Sequence, residues 1–181
     1  PLKAHLADEL LYRHWTEWKD GKRTHILVAD VATKQVRDLT PGDFDAPVFQ
    51  AAGAGDFAFS PDGRELCYAS NHDADAARST NADLWVVPVA GGEARNLTAA
   101  NRAFDGTPRY SPDGRFVAYT MQRVPGYESD RIVLALHARA AGTSRVVTEA
   151  FDDWVRAFRF APDAKRIWFT ADVKGRTPLH S

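Results

Sequence analysis

A run of ionisable residues between Pro125 and Ile132 stands out among the side chains that could do chemistry. It reads PGYESDRI, and Glu128, Asp130 and Arg131 fall within four positions. On a loop held by a rigid scaffold, these residues are candidates for docking a partner domain or for binding a substrate amine, because binding residues concentrate on such loops. The alternative is a solvated turn with an internal Asp130–Arg131 ion pair, which adds little stability when exposed.

Other signatures of catalysis are missing from the sequence. No Gly-x-Ser-x-Gly motif occurs, and the nearest approach, AGTSRV around Ser144, lacks the second glycine. No two of the six histidines have the spacing of a metal pair. Segment 71–83, NHDADAARSTNAD, gathers a histidine and three aspartates but lacks the glycine and terminal glutamate of a calcium loop. We therefore expect no catalytic residue, metal or cofactor in this chain, and a flexible solvated loop at 71–83.

Composition limits the classes of partner. The chain is 44% hydrophobic and 26% charged, with a net charge of -1 and charges of both signs scattered along it. This argues against nucleic acid as a partner, and no apolar run reaches the ~20 residues of a membrane span. We expect a soluble protein, cytoplasmic or periplasmic/secreted, because the single Cys67 cannot form an internal disulfide that would decide the compartment. The N-terminus lacks a methionine and a signal peptide, so we interpret the chain as the interior of a longer polypeptide.

The elements that must position these residues form a repeat of about 50 residues. The turn phrases SPDG, SPDG and APDA begin at Ser60, Ser111 and Ala161, and a second marker, RDLT, RNLT and RVVT, ends at Thr40, Thr98 and Thr148. Between the markers, apolar residues alternate with period two, and no amphipathic helical stretch occurs. The pattern predicts an all-β chain.

Each SPDG phrase predicts a tight hairpin turn. Proline presets φ for the second turn position, aspartate suits the third, and glycine takes the left-handed conformation that completes a bulged hairpin. The turn-forming residues are Pro61, Asp62 and Gly63 in one copy, and Pro112, Asp113 and Gly114 in the next. In the third copy Ala164 replaces the glycine, which predicts strain of about 1 kcal/mol or another turn geometry.

Four short strands per repeat predict the four-stranded antiparallel blade of a β-propeller. We divide the chain into an incomplete blade at 9–40, full blades at 55–98 and 106–148, and an incomplete blade at 156–174. The first lacks its innermost strand and the last supplies two strands. Since a closed propeller needs about four to eight complete blades, we expect a partial propeller whose open strand edges cause self-association.

The tryptophans divide into two groups. Trp85 and Trp168 alternate with apolar neighbours inside strands, which predicts packing between blades. Trp15, Trp18 and Trp154 lie near strand ends or connections and are candidates for a rim that binds a partner.

An ordered series of motifs resembles the propeller domain of the prolyl oligopeptidase family of serine peptidases, particularly its acylaminoacyl-peptidase and dipeptidyl-peptidase V branch. The series is STN at 79–81, NLT at 96–98, FDG at 104–106, SPDG at 111–114 and GYESDR at 126–131. Ser-Pro-Asp-Gly alone is shared with TolB-like propellers, whereas the ordered series is far more specific. The resemblance covers nearly the whole chain.

This resemblance implies a division of labour. Family members join an N-terminal propeller to a C-terminal α/β-hydrolase domain with a Ser-Asp-His triad, and the propeller admits short peptides and helps to hold their N-terminal end. The chain would then be the gating part of a dipeptidyl or acylaminoacyl peptidase and inactive alone. The paired-glutamate motif that one branch uses for substrate amines is missing, so that role for Glu128 is a hypothesis. The alternative function is a TolB-like or other non-catalytic propeller that acts as a protein-binding scaffold.

Overall fold

The structure, a computed structural model, describes residues 3–8, 10–14, 16–48 and 56–181, with only the backbone of His14. The regular structure of these residues is β, apart from one 3-10 helix, Ala76–Arg78. The strands are β1 Arg13–His14, β2 Glu17–Trp18, β3 Leu27–Ala29, β4 Val36–Asp38, β5 Phe57–Phe59, β6 Glu65–Ser70, β7 Asp83–Pro88, β8 Arg95–Asn96, β9 Asp105–Tyr110, β10 Phe116–Met121, β11 Val133–Ala138, β12 Thr143–Val146, β13 Val155–Phe160, β14 Ile167–Ala171 and β15 Leu179–His180. The predicted all-β class is confirmed.

Two complete four-stranded antiparallel sheets form the centre of the chain, in the orders β5-β6-β7-β8 and β9-β10-β11-β12. Each strand pairs antiparallel with its neighbour in sequence. Short turns join the first to the second strand and the third to the fourth strand of each sheet, whereas the longer segments 71–82 and 122–132 join the second to the third. These are the four-stranded antiparallel sheets expected of propeller blades.

The outer sheets differ from the expected division. The last sheet has a third strand, β15, which pairs with β14 beyond the expected end at residue 174. Two residues are too few to show an alternating pattern, so the sequence carried no signal for β15. At the start, β1 and β2 form a separate hairpin and do not join β3 and β4 in one sheet. Glu9 and residues 49–55, which include the expected start of the first full blade, lie outside the described residues.

The repeated turns share one backbone conformation. Gly63 and Gly114 have φ of 68° and 70°, and each N–H donates 2.9 Å to the carbonyl of the serine three residues earlier. Asp62 and Asp113 accept hydrogen bonds from the hydroxyls of those serines at 2.6 Å. Ala164 keeps the same left-handed conformation, with φ of 59°. The third turn therefore retains the geometry of the others and carries the strain of a Cβ atom in that region.

The sheets stack face to face, and alternate residues of a strand pack against the sheets on its two sides. On β6, Leu66 and Tyr68 pack toward β3 and β4, whereas Cys67 and Ala69 pack toward the sheet of β9–β12. All four are fully buried. Burial raises the pKa of the Cys67 thiol well above its ordinary value, as expected for a small apolar core residue.

The marker ending in threonine has a structural purpose. The side-chain oxygen of each threonine accepts a hydrogen bond from a backbone N–H, 14 residues earlier, near the start of the strand that pairs with the short outer strand. The pairs, acceptor first, are Thr40 with Ile26 at 2.9 Å, Thr98 with Leu84 at 2.9 Å and Thr148 with Leu134 at 2.8 Å. Each threonine thereby satisfies a buried donor that the short outer strand leaves unpaired.

Candidate functional site

A cleft of about 1300 Å³ opens on one side of the stacked sheets. Its walls are formed by residues 43–48, by segment 71–81 between β6 and β7, and by the region from Gln122 to Ile132 between β10 and β11. The rim is completed by residues that flank the N-terminal hairpin: Leu10, Leu11, Lys19 and Arg23. Widely separated parts of the chain therefore meet here, among them the loop with the sequence-predicted site residues.

Almost every charged side chain of the cleft wall has a partner. The ion pairs are Lys19 with Asp45 at 2.5 Å, Arg23 with Asp43 at 2.9 Å, Arg78 with Asp75 at 3.8 Å and Arg102 with Asp73 at 3.7 Å. The exception among the described residues is Glu128, whose carboxylate makes no hydrogen bond or ion pair. Glu128 is thus the exposed, uncompensated negative charge of this wall.

Asp130 closes its own loop by accepting hydrogen bonds from backbone N–H groups. Its Oδ2 accepts the backbone N–H groups of Arg123 and Val124 at 2.5 and 2.9 Å, and its Oδ1 accepts that of Arg131 at 2.9 Å. Burial opposes ionisation of this carboxyl, but the three backbone donors outweigh it and lower its pKa. The acceptor capacity of Asp130 is therefore used within the loop.

Arg131 reaches away from the cleft toward the segment that follows β12. Its guanidinium donates to the carbonyl oxygens of Phe151 and Glu149 and lies 3.7 Å from the carboxylate of Asp152. Its side chain does not pair with that of Asp130, so the solvated internal ion pair considered for this run is not formed. The structure brings the three candidate residues onto one loop and leaves Glu128 unpaired.

The Gln122 side chain holds the backbone at Glu128 by hydrogen bonds. The Nε2 of this buried side chain donates to the carbonyl oxygens of Glu128 at 3.0 Å and of Asp130 at 2.7 Å. A free carboxylate therefore stands on a constrained backbone, which reduces the entropy lost when it binds a cation.

Asp73 links the two ends of segment 71–81 by hydrogen bonds that the sequence did not predict. Asp73 accepts hydrogen bonds from the Ser79 hydroxyl at 2.6 Å and the Asn81 amide at 3.2 Å. The bond from Ser79 contributes most to lowering the pKa of Asp73. The sequence places these partners six and eight residues from the aspartate, where no short-range motif reveals them.

His72 forms part of an aromatic stack beside the cleft. Its ring lies between Phe44 and Trp85, with centroid distances of 3.7 and 4.0 Å. Burial lowers the pKa of His72, which favours the neutral imidazole. Trp85 therefore packs internally as expected.

The remaining tryptophans are more exposed. Trp168 lies on the open face of the last sheet with 49% exposure, so it packs less than its strand position predicted. Trp18 is 44% exposed and stacks on His5, and Trp154 is half-buried beside Arg156. Trp15 lies outside the described residues.

Two classes of site can be assessed over the described part of the chain. No group of three or more His, Cys, Asp or Glu side chains there is arranged to hold a metal ion. None of its helices has the length and apolar character needed to cross a membrane.

Sequence comparison identifies peptidases as relatives. No protein-family model matches the chain. It is 32% identical over 180 residues to dipeptidyl-peptidase 5 of Porphyromonas gingivalis, covering 96% of this chain and 26% of that protein. It is 33% identical over 141 residues to dipeptidyl-peptidase 5 of Porphyromonas endodontalis, covering 75% and 20%, and 25% identical to that of Aspergillus fumigatus, covering 98% and 28%. The chain thus spans about a quarter of the length of these relatives.

Solved structures share the fold at low sequence identity. TolB from Acinetobacter baumannii matches 86% of this chain with a TM-score of 0.58 and 18% identity, over 34% of its own length. The tricorn protease matches 84% with a TM-score of 0.58 and 12% identity, over 14% of its length. A prolyl endopeptidase matches 86% with a TM-score of 0.57 and 18% identity, over 24% of its length. With the sequence relatives, these likenesses confirm the resemblance to a propeller portion of a prolyl oligopeptidase-family peptidase.

Proposed function

We propose that the chain is the substrate-gating propeller portion of a serine exopeptidase that acts on short peptides. Its similarity to dipeptidyl-peptidase 5 over almost its full length supports the assignment. In this proposal a downstream α/β-hydrolase domain carries the Ser-Asp-His triad, where histidine activates the serine and backbone N–H groups stabilise the oxyanion. The 181 residues alone are inactive. The TolB likeness, at 18% identity, concerns the fold only.

The observation that carries the proposal is the unpaired carboxylate of Glu128 on the cleft wall. A peptide substrate of an exopeptidase presents a free N-terminal ammonium group, which needs a charge-assisted hydrogen bond when it leaves water. Glu128 supplies such an acceptor, whereas the other acidic groups of the wall are already paired. Anchoring the ammonium fixes how many substrate residues lie between it and the peptide bond that the catalytic serine attacks. This number sets the length of the released product.

Replacing Glu128 with glutamine in the full-length protein tests this role. The variant keeps the shape but loses the charge, so kcat/KM for a chromogenic dipeptide with a free amino group is expected to fall about tenfold to a hundredfold. The same dipeptide with an acetylated amino group should be hydrolysed at an unchanged rate. Glu93→Gln is a matched control because Glu93 is an exposed carboxylate on the outer hairpin between β7 and β8.

Two results would contradict the proposal in different ways. Equal losses for the free and acetylated substrates would remove the amine-binding role from Glu128. A folded full-length protein that hydrolyses no peptide and takes no fluorophosphonate label on any serine would favour the non-catalytic scaffold instead.

The same proposal covers the behaviour of the isolated chain. Apolar residues are exposed on the sheets at both ends of the stack. Examples are Leu27 and Val36 on the sheet of β3 and β4, and Trp168 and Leu179 on the sheet of β13 to β15. Exposed sheet faces and unpaired edges favour association, so the isolated piece is expected to form oligomers. Sedimentation velocity that shows only compact monomers at dilute concentration would overturn this expectation.

A further inference from the structure

A hydrogen bond joins two walls of the cleft, segment 71–81 and the loop between β10 and β11. The Oγ1 of Thr80, in segment 71–81, accepts the backbone N–H of Gly126 at 2.9 Å. Segment 71–81 connects β6 to β7, whereas Gly126 belongs to loop 123–131 between β10 and β11. The bond therefore crosses from one four-stranded sheet to the next, next to the residue whose carboxylate is free.

Both partners of this bond are held in place by their surroundings. Ser79 and Asn81, on either side of Thr80, donate to Asp73, so the backbone around Thr80 is anchored. Gly126 has φ of 76°, a left-handed conformation that favours glycine. The geometry of the bond is thus set on each side before any ligand arrives.

The other hydrogen bonds of loop 123–131 run within its own sheet. Gln122 and Asp130 hold the loop to its stem, and Arg123 and Arg131 hold it to the segment after β12. Within the described residues, the bond between Thr80 and Gly126 is the hydrogen bond that ties this loop to the opposite wall. Without it, the loop is fixed at its base and free to tilt at its tip.

We propose that Thr80 is a positioning residue for Glu128. By holding Gly126, two residues before the glutamate, it sets the distance of the free carboxylate from the opposite wall of the cleft. This inference rests on the proposed function, because the consequence of positioning is tighter binding of a substrate ammonium. It also explains physically why the STN and GYESDR motifs occur together, since one supplies the acceptor and the other the donor.

The test compares Thr80→Val, which has nearly the same shape but no acceptor, with Thr80→Ser, which retains the hydroxyl, in the full-length protein. Amide hydrogen exchange of a peptide covering residues 124–131 reports the bond without any substrate. We expect exchange to be about threefold to tenfold faster in Thr80→Val and restored in Thr80→Ser. KM for the free-amine dipeptide should rise by a similar factor in Thr80→Val, with kcat within about twofold.

Thr143→Val is the matched control because Thr143 is an exposed strand residue on β12. Unchanged exchange in Thr80→Val would overturn the inference whatever the kinetics. Faster exchange with unchanged KM, while Glu128→Gln still discriminates against free amines, would also overturn it and leave the proposed function intact. If Glu128→Gln affects the free-amine and acetylated dipeptides equally, the proposed amine-binding role fails and the positioning role fails with it. The exchange data would still show whether Thr80 holds Gly126.

Discussion

Replacing Asp105 with asparagine is expected to remove a large part of the loss of propeller stability that occurs as pH rises from about 4 to 7. Asp105 is fully buried on β9, its Oδ1 accepts from Asn101 at 2.9 Å, and its Oδ2 has no partner. Burial, reinforced by the nearby Asp83 carboxylate, raises the pKa of Asp105 from 3.8 to about 7. Since the folded state holds this proton more tightly than the unfolded state, the stability that Asp105 contributes is fully present below about pH 4 and is lost as pH rises to about 7.

The size of the effect follows from the two pKa values. The rise corresponds to about 4 kcal/mol of unfolding free energy lost across this pH range, and the Asp105→Asn variant should avoid this loss. The urea midpoint of the propeller transition, measured at half-unit pH steps, checks the expectation. Asp113→Asn is a suitable control because Asp113 is part of an exposed turn and its pKa is lowered to about 2, mainly by the Ser111 hydroxyl. The same change of midpoint between pH 4 and 7 in the wild type and in Asp105→Asn would show that Asp105 is ionised at no cost in the fold.

The strands and turns were predictable because local residues decide them. Period-two alternation places Cys67 and Ala69 on one face of β6 and Leu66 and Tyr68 on the other, as the packing shows. The repeat also revealed the position of the third turn, although Ala164 breaks the glycine rule. The position of this turn in the repeat predicted its conformation better than the residue type did. The flanking strands hold the turn in a conformation that alanine disfavours.

Other elements depend on contacts that the sequence does not show. β15 is a two-residue strand that exists because β14 offers an unpaired edge. The two ends of segment 71–81 are linked because Asp73 accepts hydrogen bonds from Ser79 and Asn81. Both features depend on hydrogen bonds between groups that the folded chain brings together. Neither depends on a periodic apolar pattern that the sequence would show.

The candidate site was predictable as a loop but not as a set of roles. The sequence does not distinguish the binding roles of the three candidate residues, Glu128, Asp130 and Arg131. The structure shows which of them already have hydrogen-bond or ion-pair partners. The partners of Arg131 lie about 20 residues further on, and those of Asp130 are backbone groups that carry no sequence signal. The opposite wall of the cleft comes from another sheet altogether.

The truncation Leu134→Ala is expected to cause a large loss of stability at the interface between the last two sheets. Leu134 is 1% exposed on β11 and packs with Ala118, Val155 and Phe169. Removing three buried carbon atoms loses their transfer free energy and leaves a cavity that two sheets pinned by hydrogen bonds cannot close. We expect the opening free energy of the β10 and β11 amides, measured by native-state hydrogen exchange in the full-length protein, to fall by about 2–5 kcal/mol.

Leu27→Ala provides the comparison, because Leu27 is also a strand leucine but is 60% exposed on β3. It should change the opening free energy of its own strand by less than about 1 kcal/mol. The contrast separates burial between sheets from the intrinsic preference of leucine for strands, which both substitutions remove equally. Equal losses at the two positions would mean that stacking of sheet faces does not stabilise this fold. A selective loss at Leu134 that leaves the amides of β6 and β7 unaffected would show that each interface between sheets opens independently, as expected when a repeat contacts only its neighbours.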